Sequence, residues 1–322
     1  MPTLKIALIT PAAPGSRHGN RGTATRWAGM LRELGHTVSV QVDWDGSASD
    51  VMLALHARRS HDSVRNYAMC YPDQPLILAL TGTDLYRDIR TDETAQESMQ
   101  LATRMIVLQE MGLQELAPAL RRKTSVVVQS AQAVKRPPPL TSCFEVVISG
   151  HLRDEKDPFR AAAALAYFPA KSRIRITHVG GAMAPAMARE AQAWMKREPR
   201  YRWLGEVPHG KALRLLARSR LMVISSRMEG GANVVSEALA NNVPVIASRI
   251  CGNIGLLGRD YAGYYRLEDE RAMARLLSRA ETDSAYYRKL VAQCRARKPL
   301  VTHASECNAL QRALKLALGK IR

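Results

Sequence analysis

Short apolar segments rich in β-forming residues alternate with segments of helical periodicity along almost the whole chain, and this alternation limits the fold more than any other feature. In the first half, the apolar runs are LKIALIT at 4–10, TVSVQV at 37–42, VMLAL at 51–55, LILAL at 76–80, MIVL at 105–108 and SVVV at 125–128. A helical pattern, TATRWAGMLREL at 23–34, lies between the first two runs. Strands that alternate with helices form a parallel sheet with helices on both faces. The first half therefore predicts a doubly wound α/β domain.

Three consecutive prolines, Pro137 to Pro139, divide the chain because they cannot continue a helix or a central strand. We predict an N-terminal Rossmann-like domain at 1–139, a second one at 140–300, and a C-terminal helix at 301–322 that packs back on the first domain. In the second domain the pattern predicts strands at 145–149, 174–179, 201–204, 221–225 and 243–247, with helices at 158–167, 184–197, 210–218, 233–241 and 270–280. Two doubly wound domains that face each other place a ligand cleft at the carboxyl ends of both sheets.

The balance of charge narrows the classes of partner. The chain has 47 Lys and Arg against 29 Asp and Glu, a net charge of +18, which indicates nucleic acid, acidic membranes or phosphorylated small molecules. With four Trp, ten Tyr and three Phe, it lacks the aromatic platforms of a nucleic-acid binder. Its apolar runs are far shorter than the ~20 residues that span a bilayer, and its five scattered cysteines form no CxxC pair. We therefore expect a cytoplasmic protein without signal peptide, metal or cofactor that binds small anions. Its oligomeric state is left open.

The segment ISSRMEGGANVVSEALANNVPVIA at 224–247 carries the strongest functional signal. It predicts a strand end, a loop containing Gly230 and Gly231, and a helix that begins near Asn233. Amides at a helix N-terminus bind anions such as a diphosphate, and Glu229 and Glu237 are placed to accept hydrogen bonds from sugar hydroxyls. The plainer interpretation is that these glutamates only favour the helix dipole.

These two glutamates, separated by seven residues that include Gly-Gly and Asn-Val-Val, resemble the donor site of retaining glycosyltransferases of family 4, which have the GT-B fold. The resemblance implies that Glu229 contacts the donor sugar and that Glu237 contacts the ribose. It also implies that loop residues bind the diphosphate: Gly230, Gly231, Ala232, Asn233 and Val234. This chain differs from the usual pattern at Ser225-Ser226, where Pro-Ser is common, and at Gly-Gly-Ala, where Gly-Phe-Gly is common.

A second stretch, SGHLRDEKDPF at 149–159, follows another predicted strand. Arg153 and Lys156 are cations at the strand's carboxyl end, where they would neutralise charge that develops on a leaving diphosphate without a metal. In the resembling family an Arg and a Lys in this segment have that role, although here His151 replaces the usual Arg. The alternative is a solvated charged loop.

Anion-binding groups are also predicted in the first domain. The loop TPAAPGSRHGNRGTATRWAG at 10–29 offers Asn20, Arg21, Gly22 and Thr23 to a charged second substrate, and Thr23 also as a helix cap. Two further strand ends, in LALHARRS and LTGTDLYRDI, carry the remaining candidates for the acceptor site: His56, Thr81 and Asp84.

Taken together, these four segments resemble the selenosugar synthases of selenoneine biosynthesis, a branch of the same glycosyltransferase group. The resemblance implies attack of selenophosphate on C1 of UDP-N-acetylglucosamine or UDP-glucose, departure of UDP, and later loss of phosphate. Transfer of a hexose to a hydroxyl acceptor is the alternative, although oxygen acceptors usually need help with deprotonation.

Overall fold

The computed structural model describes residues 2–16 and 19–319. The chain forms two compact units, one made of Met1–Gln129 with His303–Arg322 and the other of Ser130–Thr302. The division therefore falls before the proline run at which the sequence analysis places it. The reason is that residues 130–139 hydrogen-bond within the second unit: the Ala131 amide donates to Val301 O at 3.1 Å, and the Val134 amide donates to Asn241 Oδ1 at 2.9 Å.

The first unit contains a six-stranded, fully parallel sheet. Its strands are β1 (Lys5–Ile9), β2 (Thr37–Gln41), β3 (Val51–Leu55), β4 (Leu76–Leu80), β5 (Arg104–Val107) and β6 (Thr124–Val126), in the order β2-β1-β3-β4-β5-β6. All six predicted apolar runs form these strands. β3 and β4 are buried along their whole length, because helices cover both faces of the sheet, and this explains their uninterrupted apolar sequence.

In the part of this unit that the structure describes, the strands are followed by the helices α1 (Gly19–Glu33), α2 (His61–Cys70), α3 (Ile89–Thr91), α4 (Glu93–Leu101) and α5 (Pro118–Arg122). α1 begins four residues before the predicted start, so Asn20, Arg21, Gly22 and Thr23 lie within its first five residues and not in a loop. The predicted helix cap at Thr23 is wrong: its Oγ1 donates to Gly19 O at 3.0 Å and accepts from Gln129 Nε2 at 2.6 Å.

The second unit contains another six-stranded parallel sheet. Its strands are β7 (Phe144–Ser149), β8 (Ile174–Val179), β9 (Tyr201–Trp203), β10 (Leu221–Ile224), β11 (Val245–Ser248) and β12 (Tyr264–Tyr265), in the order β12-β11-β10-β7-β8-β9. The five predicted strands are present. β12 is an addition of two residues, too short to produce a periodic pattern.

The helices of this unit are α6 (Arg160–Ala164), α7 (Pro185–Arg197), α8 (His209–Arg218), α9 (Asn233–Ala240), α10 (Cys251–Leu257), α11 (Glu270–Thr282) and α12 (Ser284–Arg297). The last helix, α13 (His303–Leu318), belongs to the first unit, where Leu310 and Leu314 join the core beside Trp27. Its fully buried Glu306 accepts hydrogen bonds from Trp27 Nε1 at 2.7 Å and from Arg26 Nε at 3.1 Å. The predicted class, α/β with two doubly wound Rossmann-like sheets, is confirmed. No helix in the described part of the chain has the length and apolar character to cross a membrane.

Candidate functional site

The loops that follow β7 and β10 carry the two groups expected to do the chemistry. β7 and β10 are neighbours in the sheet, so their carboxyl ends lie side by side. Lys156 Nζ donates a hydrogen bond to Glu229 Oε1, and Ser226 Oγ donates to the same oxygen at 2.5 Å. The side chain of Glu229 is 8% exposed and that of Lys156 is 22% exposed. The structure thus joins Lys156 and Glu229 in one largely buried ion pair.

A small cavity lies against this pair. Its walls include the strand-end residues Gly150 and His151, the pair itself, and Val234 from the first turn of α9. Arg153, which the sequence analysis groups with Lys156, is exposed on the turn before it. The geometry therefore places Lys156 at the cavity, while a catalytic role for Arg153 stays a prediction.

Asp157, the residue after Lys156, has a strained backbone. It has a positive φ of 44°, a left-handed conformation that costs energy for a residue other than glycine. Two side chains hold this conformation: Ser225 Oγ donates to the carbonyl oxygens of Lys156 and Asp157 at 3.0 and 2.8 Å, and Arg160 Nε donates to the Asp157 carboxylate at 2.8 Å. Such locally stored strain is typical of functional sites.

Glu229 is held from behind by α10. A Cβ atom at Gly252 would lie 2.1 Å from Glu229 O and 2.7 Å from Glu229 Cβ, so only glycine permits this approach. Gly252 lies in no recognisable sequence motif, because its importance arises from a contact between segments 23 positions apart and not from a local pattern.

The N-terminus of α9 has the properties expected of an anion site. Its N-cap residue, Ala232, offers no side-chain hydrogen bond to the first-turn amides. Asn233 Oδ1 is buried and, within residues 2–16 and 19–319, has no hydrogen-bond partner. Uncapped amides leave donors for an anion, and the Asn233 oxygen offers an acceptor beside them. Direct contacts of Gly230, Gly231, Ala232, Asn233 and Val234 with a ligand stay predictions.

Glu237, one turn further along α9, accepts a hydrogen bond from His209 Nε2 at 2.8 Å. This bond to the carboxylate raises the pKa of His209. The Glu237 side chain is 14% exposed, whereas that of His209 is 73% exposed. His209 begins α8 and thus orients the glutamate that the sequence analysis expects at the ribose.

Two histidines that are not among the candidate site residues predicted from the sequence, His151 and His178, shape the loop after β7. His178 is fully buried, with its Nε2 3.2 Å from Gly150 O and its Nδ1 2.9 Å from Tyr201 Oη. Burial lowers the pKa of His178 to about 4, so its ring is neutral near pH 7. Directly after Gly150, the side chain of His151 accepts the Gly181 amide at its Nδ1 at 3.1 Å. These contacts fix the backbone that leads to Lys156.

In the first unit, His56 follows β3 in a strained conformation. It has a φ of 77° and is buried. Its Nε2 lies 3.2 Å from Thr83 Oγ1, and its Nδ1 accepts the Arg59 amide at 3.4 Å. Burial lowers the pKa of His56, and the carboxylate of Asp84 opposes that effect.

Asp84, after β4, is fully buried. Its carboxylate accepts the backbone amides of Thr81 at 2.9 Å, Gly82 at 2.8 Å and Ala57 at 3.1 Å. The side chain thus joins the loops that follow β3 and β4. A direct contact of Thr81 or Asp84 with a substrate stays a prediction.

The four candidate acceptor-site residues at the start of α1 differ in their burial and hydrogen bonding. Asn20 and Arg21 are half-buried and Gly22 is exposed, whereas Thr23 is buried and committed to Gly19 and Gln129. Their role as anion donors stays a prediction.

Solved structures share this fold. The Anabaena protein HepE, in a crystal structure described as a complex with UDP-glucose, is 15% identical, and the match covers 97% of this chain and 99% of HepE with a TM-score of 0.76. Sucrose-phosphate synthase from Thermosynechococcus elongatus is 16% identical, with coverage of 98% and 99% and a TM-score of 0.74. At this identity the likeness concerns the fold alone, and it agrees with the expected GT-B class.

The sequence itself matches the profile of a family described as "Glycosyl transferases group 1" over residues 134–297. This match spans just over half of the chain and includes β7 to α12 with both the Lys156 and Glu229 loops. The chain belongs to the group 1 family of glycosyl transferases.

Proposed function

We propose that this protein is a glycosyltransferase that forms a carbon–selenium bond from a UDP-sugar, UDP-N-acetylglucosamine or UDP-glucose, and selenophosphate. The observation that carries the transferase part is the Lys156–Glu229 ion pair beside the uncapped N-terminus of α9. HepE, which shares the fold, has been crystallised with UDP-glucose. The second unit is then the donor-binding unit and the first unit takes the acceptor.

The donor roles follow from chemistry and position. The amides from Gly231 to Val234 bind the diphosphate, and Glu237 accepts from the ribose hydroxyls. Glu229 accepts from a sugar hydroxyl through the oxygen that Lys156 leaves unoccupied. Lys156, joined by Arg153, balances the negative charge that grows on the departing diphosphate.

An anionic acceptor is favoured by the state of the acidic and basic groups in the first unit. A hydroxyl acceptor needs a base that removes its proton. The carboxylate of Asp84 already accepts hydrogen bonds from three backbone amides, and that of Asp88 accepts one from Arg58 Nε at 3.0 Å. The neutral ring of His56 has its Nδ1 lone pair on the Arg59 amide. Selenophosphate is already a nucleophile and requires none of these groups as a base.

The overall reaction balances in two steps. Selenium attacks C1, a C–Se bond forms, and the bond from C1 to the diphosphate oxygen breaks with its electron pair, so UDP leaves. Water then cleaves the Se–P bond of the product, which releases phosphate and the selenosugar.

The test is to incubate the protein with each UDP-sugar and selenophosphate, with inorganic phosphate or a hydroxyl acceptor such as glycerol as parallel controls. We expect UDP release that depends on selenophosphate, and a product with the selenium isotope pattern by mass spectrometry. UDP release with the hydroxyl acceptor alone would transfer the assignment to hexose transfer onto oxygen.

A further inference from the structure

We infer that Thr83 is the side chain that recognises the anionic acceptor in the first unit, and that His56 is its positioning residue. The inference rests on the proposed function for the identity of the acceptor. Thr83 is half-buried at the carboxyl end of β4, directly before a helical turn at Asp84–Asp88, and it is not a residue that the sequence motifs identify.

The direction of the Thr83 hydroxyl follows from its histidine partner. The Arg59 amide donates to His56 Nδ1 at 3.4 Å, so that nitrogen carries a lone pair. A neutral imidazole then has its proton on Nε2, which lies 3.2 Å from Thr83 Oγ1 and donates to it. Burial, which lowers the pKa of His56, keeps the ring in this neutral state.

Because Thr83 Oγ1 accepts from His56, its own proton points elsewhere. Within the described residues no protein acceptor for that proton is found. The Thr83 hydroxyl is therefore available as a hydrogen-bond donor in a fixed direction. An anionic substrate requires such a donor, whereas a neutral hydroxyl substrate requires a base that removes its proton.

The charged groups around the histidine agree with an anion. The two carboxylates within 4.0 Å of its ring, Asp84 and Asp88, are engaged by backbone amides and by Arg58, respectively. The guanidinium of Arg59 is exposed and has no side-chain partner among the residues described. A hydroxyl donor, with an exposed guanidinium three residues after its histidine partner, matches a tetrahedral oxyanion with one or two negative charges.

The strain at His56 explains how the geometry is held. A left-handed φ of 77° is costly for histidine, and the Asp84 carboxylate secures the following residue by accepting the Ala57 amide at 3.1 Å. The ring is thereby kept under the Thr83 hydroxyl, which marks His56 as a residue that acts through Thr83.

The experiment compares Thr83→Val, which keeps the shape and removes the hydroxyl, with Thr83→Ser, which keeps the hydroxyl. We expect Thr83→Val to raise the KM for selenophosphate ~10-fold or more, since hydrogen bonds to charged groups are the stronger ones, with an unchanged KM for the UDP-sugar. Thr83→Ser should stay within about threefold of the wild type, as should the control Thr282→Val on α11, whose hydroxyl only donates to Ser278 O.

The positioning role of His56 is tested by His56→Asn, because asparagine tolerates a positive φ. We expect a smaller rise in the selenophosphate KM, and the double variant His56→Asn/Thr83→Val should be no worse than Thr83→Val alone. Additive effects would overturn the positioning role, and an unchanged selenophosphate KM in Thr83→Val would overturn the inference while leaving the proposed function intact. A wild type that does not use selenophosphate would overturn both.

Discussion

Lys156 and Glu229, 73 positions apart in the sequence, share one hydrogen bond at the carboxyl edge of the second sheet. Ser226 also donates to the oxygen that Lys156 contacts, so this one oxygen of Glu229 has two donors. The carboxylate of Glu229 thus offsets the charge of the Lys156 ammonium group. This group lines the same cavity as Val234 in the first turn of α9, where backbone amides suit a diphosphate. Arrival of the diphosphate would give Lys156 a second anionic partner.

The first prediction concerns this pair. Lys156→Ala should lower kcat for UDP release by about 10²-fold or more, the usual cost of removing one group that stabilises developing charge. Glu229→Ala should lower turnover comparably, because it removes both the proposed sugar contact and the partner of Lys156. Initial rates of UDP release measure the effect, and thermal unfolding checks that the fold persists.

Arg153→Ala tests the second cation predicted for this loop, and we expect a smaller loss than in Lys156→Ala, because Arg153 is exposed and does not join the ion pair. A loss in Arg153→Ala as large as that in Lys156→Ala would show that both cations contact the diphosphate. Full activity in Lys156→Ala would contradict the donor-site assignment.

The strands that position this pair were predictable from sequence, because buried parallel strands such as β10, with the sequence LMVI, consist of continuous apolar residues. The start of α1 was not, because Gly19 and Gly22 favour a loop locally, whereas tertiary contacts such as the one between Gln129 and Thr23 stabilise the helix there. α10 was missed for a similar reason, since its sequence CGNIGLL contains two glycines and an asparagine.

The residues of the site also divide into those with a local sequence signal and those whose role depends on tertiary contacts. Glu229 and Lys156 were identifiable because each follows a strand within a local motif, and neighbouring parallel strands bring their carboxyl ends together. Gly252, His178 and Thr83 were not, because each has its role through a residue at least 23 positions away in the sequence. Such contacts depend on tertiary packing, which a single sequence does not encode as a local pattern.

The second prediction tests the packing behind Glu229. Gly252→Ala inserts a methyl group that would lie 2.1 Å from Glu229 O, so the loop must shift. We expect a loss of stability of about 1–3 kcal/mol, as for other overpacked sites, together with a strong loss of turnover because Glu229 moves. Urea unfolding and UDP release provide the two measurements.

Gly29→Ala is the control for Gly252→Ala. Gly29 lies within α1, and a Cβ atom there would meet no atom within 4 Å. This variant should gain roughly 0.5–1 kcal/mol, because alanine favours a helix interior over glycine, and should keep full activity. Equal behaviour of the two variants would contradict the packing argument.

The third prediction concerns pH and His178. Its pKa is about 4 in the folded chain and near 6.5 in the unfolded chain, because burial disfavours the charged ring. Between these values the unfolded state binds more protons than the folded state, so stability rises with pH in that window. The contribution is complete above pH 6.5, is lost as pH falls towards 4, and amounts to about 3 kcal/mol.

The measurement for His178 is the free energy of unfolding in urea at pH 7 and at pH 4.5, for the wild type and for His178→Gln. Glutamine has no proton to gain in this range and its amide can still donate to Gly150 O, so the variant should lose less stability on acidification than the wild type. The difference between the two slopes reports His178 alone, because all other titrating groups are common to both chains. Identical slopes would mean that His178 is not the buried neutral group whose hydrogen bond fixes Gly150 and the loop that leads to Lys156.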